Sequence, residues 1–515
     1  MDQLLISSEI QFLTLLTIAA GIAVVVKYIR LPYTIALVFG GLLVSLAALE
    51  PFNLTEELIL FIFLPPLLFE GAIHFELTDL RQNMKTIGAL ALPGLVASGF
   101  MAGYLIQRMT GLPMTVALLV GVMITPTDPI SVLALFKKLG VAKRLSMIVE
   151  GESVFNDGTG IVLYSVLLGI VTSGKLNVTA SVFLFLKVVA GGLLAGLILG
   201  YLAFLILKRL DDHVLEVLIT LLLAFGTFII AEHTFHVSGV MAVVAAGVIV
   251  GNQGARLAMS PTTRIAIKNF WEIAAFIINS LIFLMIGTHT HISELWSIWP
   301  FILGGFAIVT AARAISCYST LFFLKLSGER LPGTWQHIIN WGGIHGSIPV
   351  ALALGIPDMP HRTFIVDLVF GIVFLSLTVQ GLTMGPLVRM LGLAGRQEDE
   401  EQYEQAVARS VMLKRALDDL KQKRDSGRVS EAIYDGIAGG LEGQLKAVRD
   451  RRNDLENNQE VQHAWENRTN QAILTLQKST LYEMLIRGDI SYESADQLMG
   501  EIDEKLEKLE SEEKF

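Results

Sequence analysis

The 515-residue sequence predicts an all-α polytopic membrane protein of about 13 transmembrane helices, with an acidic helical domain at its C-terminal end. Three observations carry this. Hydrophobic residues make up 53% of the chain and charged ones only 17%, with a mean hydropathy of +0.58, whereas soluble domains carry about 25% charged residues. Apolar runs of spanning length recur down the chain. The charge is also unevenly placed: from Arg396 onward there are 18 Lys and Arg against 27 Asp and Glu, so the whole net charge of −9 lies there. The organisation expected is a neutral membrane body over 1–394 and a cytoplasmic tail over 395–515. No cleavable signal peptide is expected, because "MDQLLISSEI" lacks a basic start and its apolar run continues into a span. The lone Cys317 excludes an intrachain disulfide.

The runs fall at 9–26, 32–49, 57–74, 86–107, 114–136, 146–171, 178–207, 214–233, 236–251, 269–287, 298–324, 337–356 and 363–392. Basic residues then orient the chain. With the N-terminus outside, the inner loops hold Lys27, Arg30, Arg81, Lys85, Lys137, Lys138, Lys143, Arg144, Lys208, Arg209, Arg256, Arg264, Lys268, Lys325 and Arg330. The outer loops hold Arg108, Lys175 and Arg362. An even number of spans would scramble that asymmetry.

The third run, "FLPPLLFEGAI", sets Glu70 after Pro65 and Pro66, either a kinked helix with a carboxyl near its end or part of a site. In the fifth, "GVMITPTDPISVLALF", Pro126 and Pro129 bracket Thr127 and Asp128. Each proline removes a donor and clashes with the preceding turn, so the helix breaks at mid-membrane beside a carboxylate. Irregular backbone at that depth must be buried in protein or line a cavity. The sixth run contains "EGESVFNDGTG". Each charge in hydrocarbon costs at least ~2.5–3.5 kcal/mol, so Glu152 and Asp157 need a reason to be there. Helical spacing puts Ser153 with Asp157 on one face, and Glu152 with Asn156 on a face turned by about 100°. The first stripe suits a cavity and the second a neighbouring helix, with Gly151, Gly158 and Gly160 keeping the approach close. Oxygen ligands of this kind suit a hard monovalent cation. A carboxylate that holds either a cation or a proton makes the two compete, which is the physical core of cation:proton antiport.

The segments "FLPPLLFE", "TPTDPISVLALFKKLG", "EGESVFNDGTG", "FWEIAAFIINSLIFLMIG", "WGGIHGSIPVALAL" and "LTVQGLT" together resemble the monovalent cation:proton antiporter family of bacterial NhaP proteins and animal sodium/proton exchangers, in order over roughly 10–390. The resemblance implies a thirteen-helix homodimeric fold with inverted repeats and two crossing discontinuous helices. One break would lie at Thr127–Asp128 and its partner near Ser376–Gln380 in the last span. It implies Asp157 as the essential carboxylate, with Asp128, Ser153, Thr127 and Glu70 as the other ligands of the cation and proton. Asn156, Glu152, His345 and Arg313 would stabilise the core. Asn156 as the neutral member of the Asn-Asp pair implies electroneutral exchange.

One departure stands out. The family usually reads "GGLRG", its arginine pairing with the glutamate before the serine; this chain reads "GGIHG", so Glu152 is expected to face His345. The imidazole either stands in as a donor or acts as a titrating group that couples Glu152 to pH, since it changes charge near neutrality where a guanidinium does not. Arg313, a second intramembrane base, is a rival partner. His233, His236, His289 and His291 lie in or near outer loops, where solvated or capping roles are expected, and Lys187 can snorkel to the surface. Glu272 opens the tenth span, and Asn279 and Ser280 within it are expected to bond between helices.

In the tail, "QAVARSVMLKRALDDLKQKRD" and "ILTLQKSTLYEMLIR" show three- and four-residue apolar spacing, giving two or three helices. A turn is expected at Gly488 with Ser491 capping the next helix, and "DGIAGGLEG" (435–443) is expected to interrupt another. The tail is read as regulatory, against a merely solvated helical face. An intramembrane hydrolase using Glu152 and Asp157 lacks a G-x-S-x-G or H-E-x-x-H companion. A channel fits less well than coupled exchange at one midplane site. The expected substrates are Na+ and Li+ with H+, K+ being the alternative, with no cofactor, no nucleic acid, and the plasma membrane as location.

Overall fold

A computed structural model describes residues 2–26, 28, 32–46, 55–174, 177–210, 212–255, 258–289, 292–329, 331–394, 396–456, 459–487, 489–491, 494–495, 497–502 and 505. Lys27, Arg30, Lys175, Arg256 and Arg330 of the loop-charge count lie outside them, as do His291, Gly488 and residues 47–49 of the second run. The described residues contain no β-strand. They divide into two compact units, residues 1–138 with 143–392, and 393–515 with the short 139–142 segment.

In the first unit, α1 (Asp2–Val26) and α2 (Tyr33–Leu46) precede a π-helical turn (Leu58–Phe63) that leads into α3 (Leu64–His74). Helices α4 (Leu77–Ala89) and α5 (Leu95–Thr110) join through a second π turn, Leu90–Gly94, at Pro93, whose ring cannot fit an unbroken α-ladder. Then come α6 (Met114–Ile124), α7 (Ile130–Leu139), α8 (Lys143–Ser173), α9 (Val178–Leu207), α10 (His213–Ile229) and α11 (Gly239–Ile249). They are followed by α12 (Pro261–Thr288), α13 (Ile292–Ser297), α14 (Trp299–Leu326), α15 (Gly333–Trp341), α16 (Ser347–Leu354), α17 (Arg362–Leu375) and α18 (Gly381–Met390). Among the described residues of this unit, seven helical stretches are long and apolar enough to cross a membrane, and five shorter apolar helices accompany them. Where they are described, the thirteen apolar runs are helical apart from a few residues at their ends, such as 236–238 and 391–392, and two of them are split.

The split runs are the fifth, into α6 and α7, and the twelfth, into α15 and α16. This corrects the second expected break. Residues Ser376–Gln380 form only a π turn inside a helix that continues from Arg362 to Met390. The real gap is Gly342–Gly346, where three glycines in five residues, with Pro349 a turn later, disfavour a continuous helix.

Small residues set the closest helix approaches. Gly192, Gly196 and Gly200 recur every fourth position on α9, and a Cβ on Gly196 would overlap the Ala242 backbone of α11. The other side of α9 carries exposed Phe183, Leu186 and Leu194, as a lipid-facing surface requires.

The second unit holds α19 (Arg396–Asp425), α20 (Glu431–Glu456) and α21 (Gln459–Arg487). Residues 435–443 stay helical within α20, contrary to expectation: each glycine costs about 1 kcal/mol in a helix, and burial of Ala438, Leu445 and Leu455 along the same helix offsets it. Tyr403 packs edge-on against Trp465 at 5.2 Å between centroids. Ser491 accepts from the amide of Ser494 at 3.3 Å, the cap expected there.

Replacing Gly196 with Leu is expected to force α9 off α11, lowering stability by roughly 1–3 kcal/mol, the usual cost of overpacking. An unchanged thermal midpoint of the purified variant in detergent would show that the close approach is not needed.

Candidate ion-binding site at two crossed helix breaks

The two breaks meet. The Asp128 amide donates to the Ile344 carbonyl at 2.7 Å, joining the gap after α6 to the gap after α15. His345 Nδ1 donates to the Pro126 carbonyl at 3.3 Å, and the His345 amide donates to Ser376 Oγ at 3.0 Å. Gln380 Nε2 donates to the Trp341 carbonyl at 3.4 Å. The polar residues of the last span are thus polar because they satisfy the broken backbone of the twelfth. Gly346 has no side-chain room, since a Cβ there would overlap Asp128.

Helix α8 fastens the first break. Asn156 Oδ1 accepts from the Thr127 amide at 3.3 Å while its Nδ2 donates to Thr127 Oγ1 at 2.8 Å. Ser153 Oγ lies 3.1 Å from the same Thr127 hydroxyl. Beyond the break, the Ile130 amide donates to Asp128 Oδ1 at 2.9 Å, so this carboxylate caps the N-terminus of α7.

Around these atoms lies a cavity of about 90 Å³. Its polar lining comes from Glu70, Thr127, Asp128, Glu150, Asp157, Asn279 and Ser347, and its apolar lining from Leu64, Leu67 and Leu68 of α3 and from Val154. Of the residues expected at the site, Asp157, Asp128, Thr127 and Glu70 are therefore brought together. Ser153 does not line the cavity; it is 2% exposed and stands behind Thr127. Glu70 also faces His74, four residues on, at 3.5 Å. Among the described residues, no cluster of three or more His, Cys, Asp or Glu side chains could hold a metal ion by itself. A bound cation would need hydroxyl and carbonyl oxygens beside its carboxylates, as hard monovalent ions do.

Glu152 is turned away from the cavity. Arg313 Nη2 contacts its Oε1 and Oε2 at 3.0 Å each, and the same guanidinium donates to the carbonyls of Ile339 at 3.1 Å and Asn340 at 3.2 Å. Arg313 thus neutralises Glu152 and caps the C-terminal end of α15, where positive charge is favoured. The expected Glu152–His345 pairing is corrected: the imidazole is committed to Pro126 inside the break, and the longer guanidinium reaches Glu152 from α14. Glu152 and Asp157 do not share a face, which removes the geometry an acid and base pair would need.

Sequence reasoning passed over Glu150 as a cavity residue. The signal was present, because positions 150, 154 and 157 follow the i, i+4, i+7 pattern of one helix face.

An acidic cavity within the membrane, set between two crossed and interrupted helices, is the architecture of a secondary transporter. The chain belongs to the sodium/hydrogen exchanger family, whose transmembrane family model matches residues 13–390. It is 36% identical over 453 residues to the Na(+)/H(+) antiporter NhaG of Bacillus atrophaeus, covering 85% of each chain. It is 37% identical over 445 residues to the Na(+)/H(+) antiporter ApNhaP of Aphanothece halophytica, again with 85% of each covered. The fold matches that of the sodium proton antiporter MjNhaP1 from Methanocaldococcus jannaschii with a TM-score of 0.64 at 20% identity, over 75% of this chain and 99% of that one.

Arg313→Leu leaves Glu152 buried and unpaired, an expected loss of about 3–5 kcal/mol. Adding Glu152→Gln should recover a large part of it, read as the thermal midpoints of the single and double variants. A double variant no more stable than Arg313→Leu alone would mean that the ion pair is not what Arg313 contributes.

Proposed function

We propose that this chain is an electroneutral antiporter that exchanges one Na+ or Li+ for one H+ by alternating access, with Asp157 as the carboxylate the two ions share. The observation that carries this is the cavity holding Asp157 and Asp128 side by side with the Thr127 break. Asp157 takes part in no protein hydrogen bond among the described residues, so its oxygens are open to a proton or a cation. Asp128 already caps α7 and adds a second oxygen. Thr127 contributes oxygen from the unwound segment, and Glu70 approaches from α3. Asn156 is spent on clamping Thr127, which leaves one titrating group at the Asn-Asp pair and favours one proton per cation. Sodium is chosen over potassium because the relatives' names specify Na+.

In the same reading the N-terminus faces outward, the tail is cytoplasmic and regulatory, and the protein works as a homodimer in the plasma membrane. The basic residues of the inner loops support the orientation. The tail's own aromatic packing supports a folded domain rather than a linker.

In proteoliposomes an imposed Na+ gradient is expected to move protons, and clamping the membrane potential should leave the rate unchanged. Asp157→Asn should abolish this exchange, and Na+-driven exchange by that variant at the unaltered rate would end the reading. Truncation after Gly392 is expected to shift the rate or pH dependence of transport without eliminating it. Identical rates, Na+ affinities and pH profiles for full-length and truncated protein would leave the tail without a regulatory role.

A further inference from the structure

Glu150 lines the same cavity as Asp157, on the same helix. Seven residues separate them, which falls only about 20° short of two full turns, so both carboxylates face one way. Their Cα atoms are about 10 Å apart along the axis, at the usual rise per residue. Val154, between them, completes the stripe. Glu152, by contrast, lies on the face that meets Arg313.

The surroundings of Glu150 hold no cation that would claim it. It has no hydrogen-bond or ion-pair partner among the described residues, and the neighbouring charge that acts on it is the like charge of Glu70. Lys143, one heptad back on α8, is engaged by Glu76 at 2.9 Å and Asp79 at 3.3 Å. Glu150 and Glu70 line one cavity, the base beside them is His74, 3.5 Å from Glu70 and charged only when protonated, and in their ionised form the two carboxylates make a negative potential.

We infer that Glu150 is an affinity-setting residue of the transport cavity: with Glu70 it concentrates the monovalent cation at the α8 end nearer Lys143, without binding it at the Asp157 position. This rests on the antiport reading above. A unit charge about 10 Å from a cation changes its local concentration by roughly twofold in a water-like dielectric and tenfold or more in a protein-like one. Such an attraction acts on the half-saturating Na+ concentration and not on the maximal rate. It also weakens as inert salt screens it.

The experiment measures Na+-driven proton exchange by the full-length protein in proteoliposomes over a range of Na+, at low and high choline chloride. Glu150→Gln is expected to raise half-saturating Na+ by about 3- to 10-fold at low ionic strength, with the difference shrinking at high choline. Glu150→Asp, which keeps the charge, should stay near the unaltered protein. If Glu150→Gln is not recovered in membranes, Glu150→Ser is measured against the same expectations. A half-saturation unchanged from that of the unaltered protein at low choline overturns the inference. So does a fall in maximal rate with half-saturation unchanged, which would make Glu150 a structural or proton-carrying group. Asp157→Asn is run beside these variants. If the unaltered protein shows no Na+-driven exchange, the antiport reading itself has failed; if it exchanges and only the Glu150 expectations fail, that reading survives.

Discussion

Two helices that stop at the same depth must satisfy each other's backbone, and much of the site follows from that constraint. Water does not reach the hydrocarbon region to bond stray amides and carbonyls, so each freed group needs a protein partner. Asp128 and Ile344 pair directly, main chain to main chain. The remaining groups recruit side chains from three other helices: Asn156 from α8, Arg313 from α14, and Ser376 from the last span. The buried polar residues around the breaks form one accounting system, and most of them have a main-chain group to answer for. What is left uncommitted is a short set of carboxylates facing the cavity. That residue of unspent charge is what an ion can use.

The same constraint explains why α8 carries so many polar residues without being a polar helix. Glu152 and Asn156 look toward the framework, where one meets a guanidinium and the other an unwound strand of backbone. Glu150, Val154 and Asp157 look into the cavity. A rotation of about 100° between neighbouring residues is enough to keep the two sets apart. Structural and transported charge therefore sit on one element without neutralising each other. Had Arg313 reached Asp157 instead, the cavity would hold a satisfied ion pair and little pull on a cation.

The parts of this arrangement that depend on local chemistry were legible in the sequence. Hydrophobic run length gave the spans, and the Pro-Thr-Asp-Pro segment gave the first break, because proline acts on its own helix. Helical spacing separated Asp157 from Glu152. What depends on contacts between distant segments was not legible. Ser376 and Gln380 looked like a break because their polarity interrupts an apolar run, yet they serve a gap more than thirty residues earlier. The glycines at 342, 343 and 346 were the better sign of that gap, being a backbone property. Likewise, nothing local says that Arg313 rather than His345 meets Glu152, since that choice turns on side-chain reach across two helices. In the tail, the glycines of 435–443 misled in the opposite direction, because burial elsewhere on α20 outweighs their weak helix preference.

The clamp on Thr127 ties the geometry of the break to the charge of the site. Asn156 accepts from the Thr127 amide and donates to the Thr127 hydroxyl at once, and it does both while neutral. An ionised aspartate at the same position could accept from both the amide and the hydroxyl, since a hydroxyl also donates, but it would add a second charge beside Asp157. Protonating it would reverse the bond to the hydroxyl. A carboxyl at 156 would therefore tie its charge to the bonding of the unwound segment, whereas the amide keeps the two apart. In this chain the break is held by a group that never titrates, and the changes of charge in the proposed exchange fall to the acids that line the cavity.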